Sequence, residues 1–383
     1  MVGKLTVSAF VLSALLIATQ AQTIPDVSGP KYTTIDVPGA TFTSANDINT
    51  TGEIVGPFVD TRGARHGFLL SGGVFTTIDV PSAKNTNAWG INDSDQIVGS
   101  YNNGNVHGFL LSEETFTTLD FPGAVATESL SINNSGQIVG FYLDQSFVYH
   151  GFELSGGTYS TIDPPGSILT EMSSISNAGE VVGLYEDAGG VFHGVFLDGG
   201  VYTNVDFPKA VGTFAYGINE PGTIVGNYET KTTSYGFEFA QDNFVKMTFP
   251  GATSTASNGI NLTGTIVGSY TDVSGVTHGF VLTPTTATTL ASSPNPSTEG
   301  HPVTFSAVVS SSAGVPPDGE TVSFLKGKTV LGTGTLSGGI ATFTTSTLKV
   351  GTTSVKATYG GDPNFGASES KVVKQVVENA VKK

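Results

Sequence analysis

From residue 32 to residue 285 the chain alternates short apolar runs with tight polar punctuation. The runs are rich in aromatic and β-branched residues, and Gly, Asn, Asp or Pro bounds each of them, which predicts β-strands joined by turns. One stretch shows the unit. Ala88–Asn92, Gln96–Tyr101, His107–Leu111 and Phe116–Phe121 read as four successive strands. The connections agree. Asn-x-x-Gly (Asn133 to Gly136, Asn261 to Gly264) suits a short hairpin whose glycine takes positive φ. Asp-x-x-Gly (Asp60 to Gly63, Asp272 to Gly275) suits a turn in which Asp bonds its own backbone. Pro-Gly after the fourth run removes a ladder donor, so the sheet ends there.

The unit recurs. The glycine closing Ile-Val-Gly or its variants falls at Gly56, Gly99, Gly140, Gly183, Gly226 and Gly268, in steps of 43, 41, 43, 43 and 42. A constant period near 42 with four strands inside it predicts the blades of a β-propeller. The first copy opens with a lone fourth strand, Tyr32 to Val37, and the last supplies only three, ending near Leu282. Pairing them completes a sixth blade from both ends of the chain and removes the exposed edges of an open array. The expected fold is therefore all-β, with a six-bladed propeller closed by its N-terminal strand. The recurring Asn-x-x-Gly-x-Ile-Val-Gly, followed by His-Gly-Phe at His66, His107, His150 and His278, resembles the bacterial extracellular repeats called the HAF family. Two copies depart from that triplet, with His-Gly-Val at His193 and Tyr-Gly-Phe at Tyr235. The resemblance implies export and a repeat fold, and carries no catalytic residue.

After Thr283 the pattern changes. Pro284 and Thr285 to Thr289 read as a linker, and the runs Val303–Val308, Thr321–Leu325, Ile340–Phe343 and Ser354–Tyr359 predict a β-sandwich. Ser293-Pro294-Asn295-Pro296, Pro302 to Phe305 and Tyr359 to Phe365 are similar to bacterial Ig-like repeat domains, which implies a spacer or adhesive unit. The expected organisation is a signal peptide over 1–21, an N-terminal segment over 22–31, the propeller over 32–285, the Ig-like module over 286–377 and a tail over 378–383.

Composition narrows the function. Lys4, the apolar run Leu5 to Ala18 and Thr19-Gln20-Ala21 have the form of a secretory signal peptide, and the run is too short to span a bilayer. This predicts a secreted or cell-surface protein without membrane insertion. The absence of cysteine excludes disulfides, thiolate metal sites and cysteine nucleophiles. Residues 32–285 hold 25 acidic and 6 basic side chains, against 6 and 8 in 286–383. So acidic a body repels phosphate backbones, which argues against nucleic-acid partners.

The candidate chemistry is sparse. His66, His107, His150, His193 and His278 recur one per repeat, too far apart for one metal shell, so no metal site or cofactor is expected. Asp36, Asp79, Asp120, Asp163 and Asp206 also recur, with Thr248 in the sixth place, and are expected to bond backbone donors at a strand end. The sequons at Asn49, Asn92, Asn133 and Asn261 sit in hairpins that want Asn for turn reasons. Departures from the repeat are more telling. Arg62 and Arg65, the chain's two arginines, share one loop beside His66. Trp89, the lone tryptophan, stands where the other copies have Asn46, Leu130, Ser173, Tyr216 and Asn258. The blades of Trp89 and Tyr216 fall opposite each other, so their rings could stack on a sugar at a channel mouth. Against this, alternation places Trp89 on the same side as Ile91, which favours packing between blades. Trp89, Tyr216, Arg62 and Arg65 are the candidate binding residues, and no catalytic residue is assigned. The expected function is non-catalytic binding or adhesion, with an extracellular polysaccharide or a surface protein as partner. The alternatives are a polysaccharide hydrolase or lyase, for which Asp93 with Asp95 or Glu186 with Asp187 are the candidate pairs, and a purely structural envelope protein.

Overall fold

A computed structural model describes residues 31–311, 314–362 and 364–380. The expected signal peptide lies outside the described residues. The described chain is all-β, with six antiparallel sheets followed by a sandwich of two further sheets. In the second sheet Asn85–Ile91, Ile97–Asn102, Val106–Ser112 and Thr115–Leu119 lie side by side in chain order. Blades three to five repeat this arrangement, and in the first blade the innermost strand is split into Phe42–Thr43 and Asp47–Ile48. The sixth blade joins both ends of the propeller: Lys31–Ile35 pairs with Thr277–Thr283, Lys31 opposite Thr283 and Ile35 opposite Gly279. The innermost strands touch in sequence around the ring, and that of blade six meets that of blade one.

The repeat motifs become packing rules. Each apolar cluster combines residues of neighbouring blades, as when Val55 of blade one packs with Ile78, Ala88, Ile91, Ile97 and Phe109 of blades one and two. The phenylalanines of the triplet (Phe68, Phe109, Phe152, Phe237 and Phe280) are wholly buried in these clusters, and full burial of such a side chain contributes about 1.5–3 kcal/mol. The glycine of Ile-Val-Gly is dictated by close approach. A Cβ on Gly140 would collide with the Glu128 carbonyl oxygen, and one on Gly99 with that of Asn87.

That carbonyl precedes a β-bulge. The first strand skips one residue of register at Trp89, Leu130, Ser173, Tyr216 and Asn258, each left unpaired between two paired neighbours. A bulge breaks the two-residue alternation, so the residue before it and the two after it bury while the bulged one turns to the axis. The expectation that Trp89 shares a side with Ile91 is therefore corrected: Ile91 enters the inter-blade core and Trp89 does not.

The C-terminal sandwich closes on Val303, Phe305, Phe324, Val355 and Tyr359. Its first strand, Thr286–Ser293, begins inside the segment expected to be a linker, which shortens the connection after Thr283. The sandwich docks on the propeller through Asn364. Its side chain accepts from Asn261 Nδ2 (2.7 Å) and donates to the Thr50 carbonyl (2.9 Å), and its own carbonyl accepts from Thr265 Oγ1.

Candidate functional site

The five bulge positions and Asn46, which holds the same repeat position in the split strand of blade one, share one wall. Asn46, Trp89, Leu130, Ser173, Tyr216 and Asn258, one from each blade, line a cavity of about 500 Å³ at one mouth of the central channel. Arg65, Phe141, Glu128 and Glu171 complete its chemistry. Trp89 and Tyr216 thus reach the same cavity from opposite blades, as the sugar-stacking alternative requires. The two arginines separate. Arg65 turns into this wall with its guanidinium 5.5 Å from the Phe42 ring centre, whereas Arg62 is largely exposed and pairs with Asp60 at 3.1 Å. The expectation that one loop presents both is corrected, because the short turn that Asp60 holds sends them to different sides.

Two carboxyls that sequence reasoning passed over define the electrostatics. Glu128 and Glu171 stand two residues before the bulge in neighbouring blades, where other copies have Ser44, Asn87, Phe214 and Ala256. Like Trp89 they are departures from the repeat, and that was the signal that could have found them. Trp89 Nε1 donates to Ser100 Oγ (3.0 Å), which in turn donates to Glu128 Oε2 (3.0 Å), so the indole and the carboxyl fix each other. Burial raises Glu128, opposed by bonds from Ser100 and Trp89 and by the charge of Arg65. Burial, reinforced by the charge of Glu128, pushes Glu171 up to about 7. Burial also raises the Tyr216 phenol, with Glu171 and Glu229 adding to it.

The opposite mouth holds a smaller cavity, of about 60 Å³, ringed by hydrogen-bonded turns. Asn92 Nδ2 donates to the Asn133 carbonyl and Asn133 Nδ2 to that of Ser176, both at 3.1 Å, while Asn219 and Asn261 make the same bonds to Asn261 and Asn49. The Oδ1 atoms meanwhile accept from their own turns, as Asn133 does from Ser135 and Gln137. Turn chemistry alone was expected of these asparagines, and they also stitch blade to blade. All four sequon asparagines are about 3% exposed, with the amide committed on both sides. Asp47 lines the same small cavity, accepting from the Ile91 and Ile48 amides, and burial pushes it up to about 7.

The recurrent His and Asp belong together, and none of them lines the cavity at either mouth. His66, His107, His150, His193 and His278 place Nδ1 2.7–3.0 Å from Asp79, Asp120, Asp163, Asp206 and Asp36. Each imidazole also stacks on Phe58, Tyr101, Tyr142, Tyr185 or Tyr270, with ring centres 5.0–5.2 Å apart. The expectation that these carboxylates serve backbone donors is corrected: the third and fourth strands bring an imidazole within reach, and among the described residues only Asp163 also accepts a backbone amide, from Gly151. Where the fifth blade has Tyr235 in place of His, Lys246 Nζ sits 3.1 Å from the Tyr235 ring centre. Among the described residues no group of three or more His, Asp or Glu side chains is arranged to hold a metal ion. None of the carboxylates named from sequence as pairs lines the Trp89 cavity, and of the four Asp93 alone lines the smaller one at the opposite mouth. Asp93 belongs to the turn ring at that mouth, bonded by Thr50 and Asn134, and Asp187 accepts from the amides of Gly189 and Val191 and pairs with His193 at 3.4 Å.

Residues 288–378 match the family model of the bacterial Ig-like domain (group 3). No curated protein matches the chain. Among solved structures it is similar to TolB from Acinetobacter baumannii, at 13% identity over 52% of this chain and 51% of that one, with a TM-score of 0.43. It thus spans about half of the TolB chain. It is similar also to the fucose-specific lectin from Aleuria aurantia, at 11% identity over 64% of this chain and 93% of that one, TM-score 0.42. A further structure of the Aleuria aurantia lectin, a six-bladed propeller, aligns at 11% identity over 80% and 98% of the two chains, TM-score 0.41.

Proposed function

We propose that the protein is an exported carbohydrate-binding propeller that holds its ligand in the wide-mouthed cavity and does not turn it over, with the Ig-like module as a spacer or adhesive unit. One observation carries the reading: Trp89 and Tyr216, from opposite blades, line one cavity together with Arg65, Glu128, Glu171 and two asparagine amides. Aromatic rings offer a flat apolar face to the C–H side of a pyranose, and the surrounding donors and acceptors suit its hydroxyls. A volume of about 500 Å³ is ample for a sugar ring and lies in the usual range for small-ligand sites. Export rests on the N-terminal leader and on the repeat resemblance.

Glu128 and Glu171 motivate a second reading, a glycoside hydrolase or lyase. Acid–base cleavage of a glycoside wants one carboxyl protonated and its partner ionised. Here the same burial raises both, so the environments do not push the pair apart, and binding without turnover is favoured. The test is a glycan and cell-wall polysaccharide array probed with residues 22–383, reading bound protein and released sugar together. Binding without product is expected. Released product that Glu171→Gln abolishes would establish the enzyme instead, and a blank array would leave a structural or protein-binding role.

A further inference from the structure

A second departure from the repeat lies on the same face of the propeller, at the tip of blade three. In blades one, four and six the turn between the second and third strands is Asp-x-x-Gly, and Gly63, Gly190 and Gly275 adopt φ of 85°, 80° and 87° while donating to the carbonyls of Asp60, Asp187 and Asp272. Blade three makes the same turn with Phe147 in the glycine's place. Its φ is 63° and its amide donates to the Asp144 carbonyl at 3.1 Å. A bulky L-residue in left-handed conformation is strained, and such strain persists where the surroundings fix it, often for function. The surroundings do fix it. Asp144 Oδ1 accepts from the Ser146 and Val148 amides, and Gln145 Nε2 donates to the Gly123 carbonyl. The ring that this strained, rigid turn presents is 71% exposed and buries little in return.

Its neighbours run toward the cavity. Tyr149, two residues on, is also exposed, and its ring centre lies 5.4 Å from that of Phe141. Phe141 is part of the cavity wall. In the other five copies the Phe141 position holds Pro57, Ser100, Leu184, Asn227 and Ser269, so blade three alone carries the aromatic series. We infer that Phe141, Tyr149 and Phe147 form an outlying subsite of the cavity, along which a chain of sugar residues continues from the Trp89–Tyr216 pocket to the rim. The ligand is then an oligosaccharide or polymer of equatorially linked pyranoses, whose flat C–H faces can lie on successive rings. This inference rests on the carbohydrate reading of the cavity.

The test titrates the whole mature chain with N-acetylglucosamine and its β-1,4 hexamer, and with glucose and its β-1,4 hexamer, by calorimetry and by the fluorescence of Trp89. The hexamer of one series is expected to bind at least about tenfold tighter than its monomer. Phe147→Gly and Phe147→Asn, both compatible with the left-handed turn, should cancel that advantage, leave monomer affinity unchanged and not lower Tm. A monomer that binds as tightly as its hexamer, or a hexamer advantage that survives both substitutions, would overturn the subsite and leave the cavity reading standing. No response to either series, together with a blank glycan array, would overturn both.

Discussion

At the scale of single residues, Trp89 shows how one position gains its role. Its indole edge is held by Ser100 and through it by Glu128, so the ring is pinned where it lines the cavity. Trp89→Ala or Tyr216→Ala is therefore expected to weaken carbohydrate binding about tenfold or more, as loss of a stacking aromatic does, while Arg62→Ala leaves it unchanged. Calorimetry on the three variants checks this. A loss with Arg62→Ala equal to that with Trp89→Ala would contradict the assignment. Glu171 predicts a pH dependence of stability. Its folded value of about 7 lies above its ordinary value of 4.5, so between the two the folded chain holds more protons than the unfolded one. Stability then falls as pH rises through that window, by on the order of 3 kcal/mol if the whole shift is expressed. Asp47, raised from 3.8 to about 7, acts in the same direction. Denaturant titrations across this range should show the decline, and Glu171→Gln should make it shallower. A slope identical in wild type and variant would remove Glu171 as its source.

At the scale of elements, the bulge in the innermost strand is the device on which the site depends. It lets one strand bury Ala88, Gly90 and Ile91 in succession and still turn Trp89 to the axis. The hairpin that follows does a second job. Asn133 shapes its own turn and donates to Ser176 in the next blade, so Asn133→Ala leaves the Ser135 and Gln137 amides without their partner and removes one of the two bonds to the Ser176 carbonyl, the Gly179 amide keeping the other. Such a loss in a buried setting is expected to cost about 2–4 kcal/mol, measurable by chemical denaturation. A cost near that of an exposed surface change, within about 0.5 kcal/mol, would show that the stitch contributes little. The strands themselves were legible because their apolar runs and turn residues are local signals. The bulge was not, since it inserts no residue type of its own and shows only as a skip in register against a partner strand.

At the scale of the molecule, closure of the ring is decided by five residues. Lys31–Ile35 supplies the outer strand of the sixth blade and places Ile35 in a core shared with Ala45, Ile48 and Phe68 of blade one. Deleting residues 22–38 should lower Tm by several degrees or more, because it exposes the edge of Thr277–Thr283 and takes Ile35 from the core. An unchanged midpoint would mean that the ring does not need its latch. The sandwich adds a second tie by seating Asn364 among the turns of the channel's other mouth, where it bonds Asn261 and Thr50. A similar composition shift after Thr283 marked the change of module, but nothing in it disclosed that Asn364 would meet Asn261.

By itself the sequence determined the all-β class, the six-fold repeat, the strand order within a blade and the shared sixth blade. Period, alternation and turn residues record all of these, because they follow from contacts between near neighbours along the chain. It also marked Trp89 and Tyr216, since a residue that breaks a repeat stands out without any structure. Tertiary structure alone decided that Arg65 and Arg62 part company, that Glu128 and Glu171 join the aromatic pair, and that each recurrent His meets an Asp, thirteen positions away in four blades and across the ring closure for His278 and Asp36. These depend on where a side chain points after the ring has closed and a bulge has reset its direction. The linear pattern carries no record of that, because every blade's wall faces residues supplied by the other five.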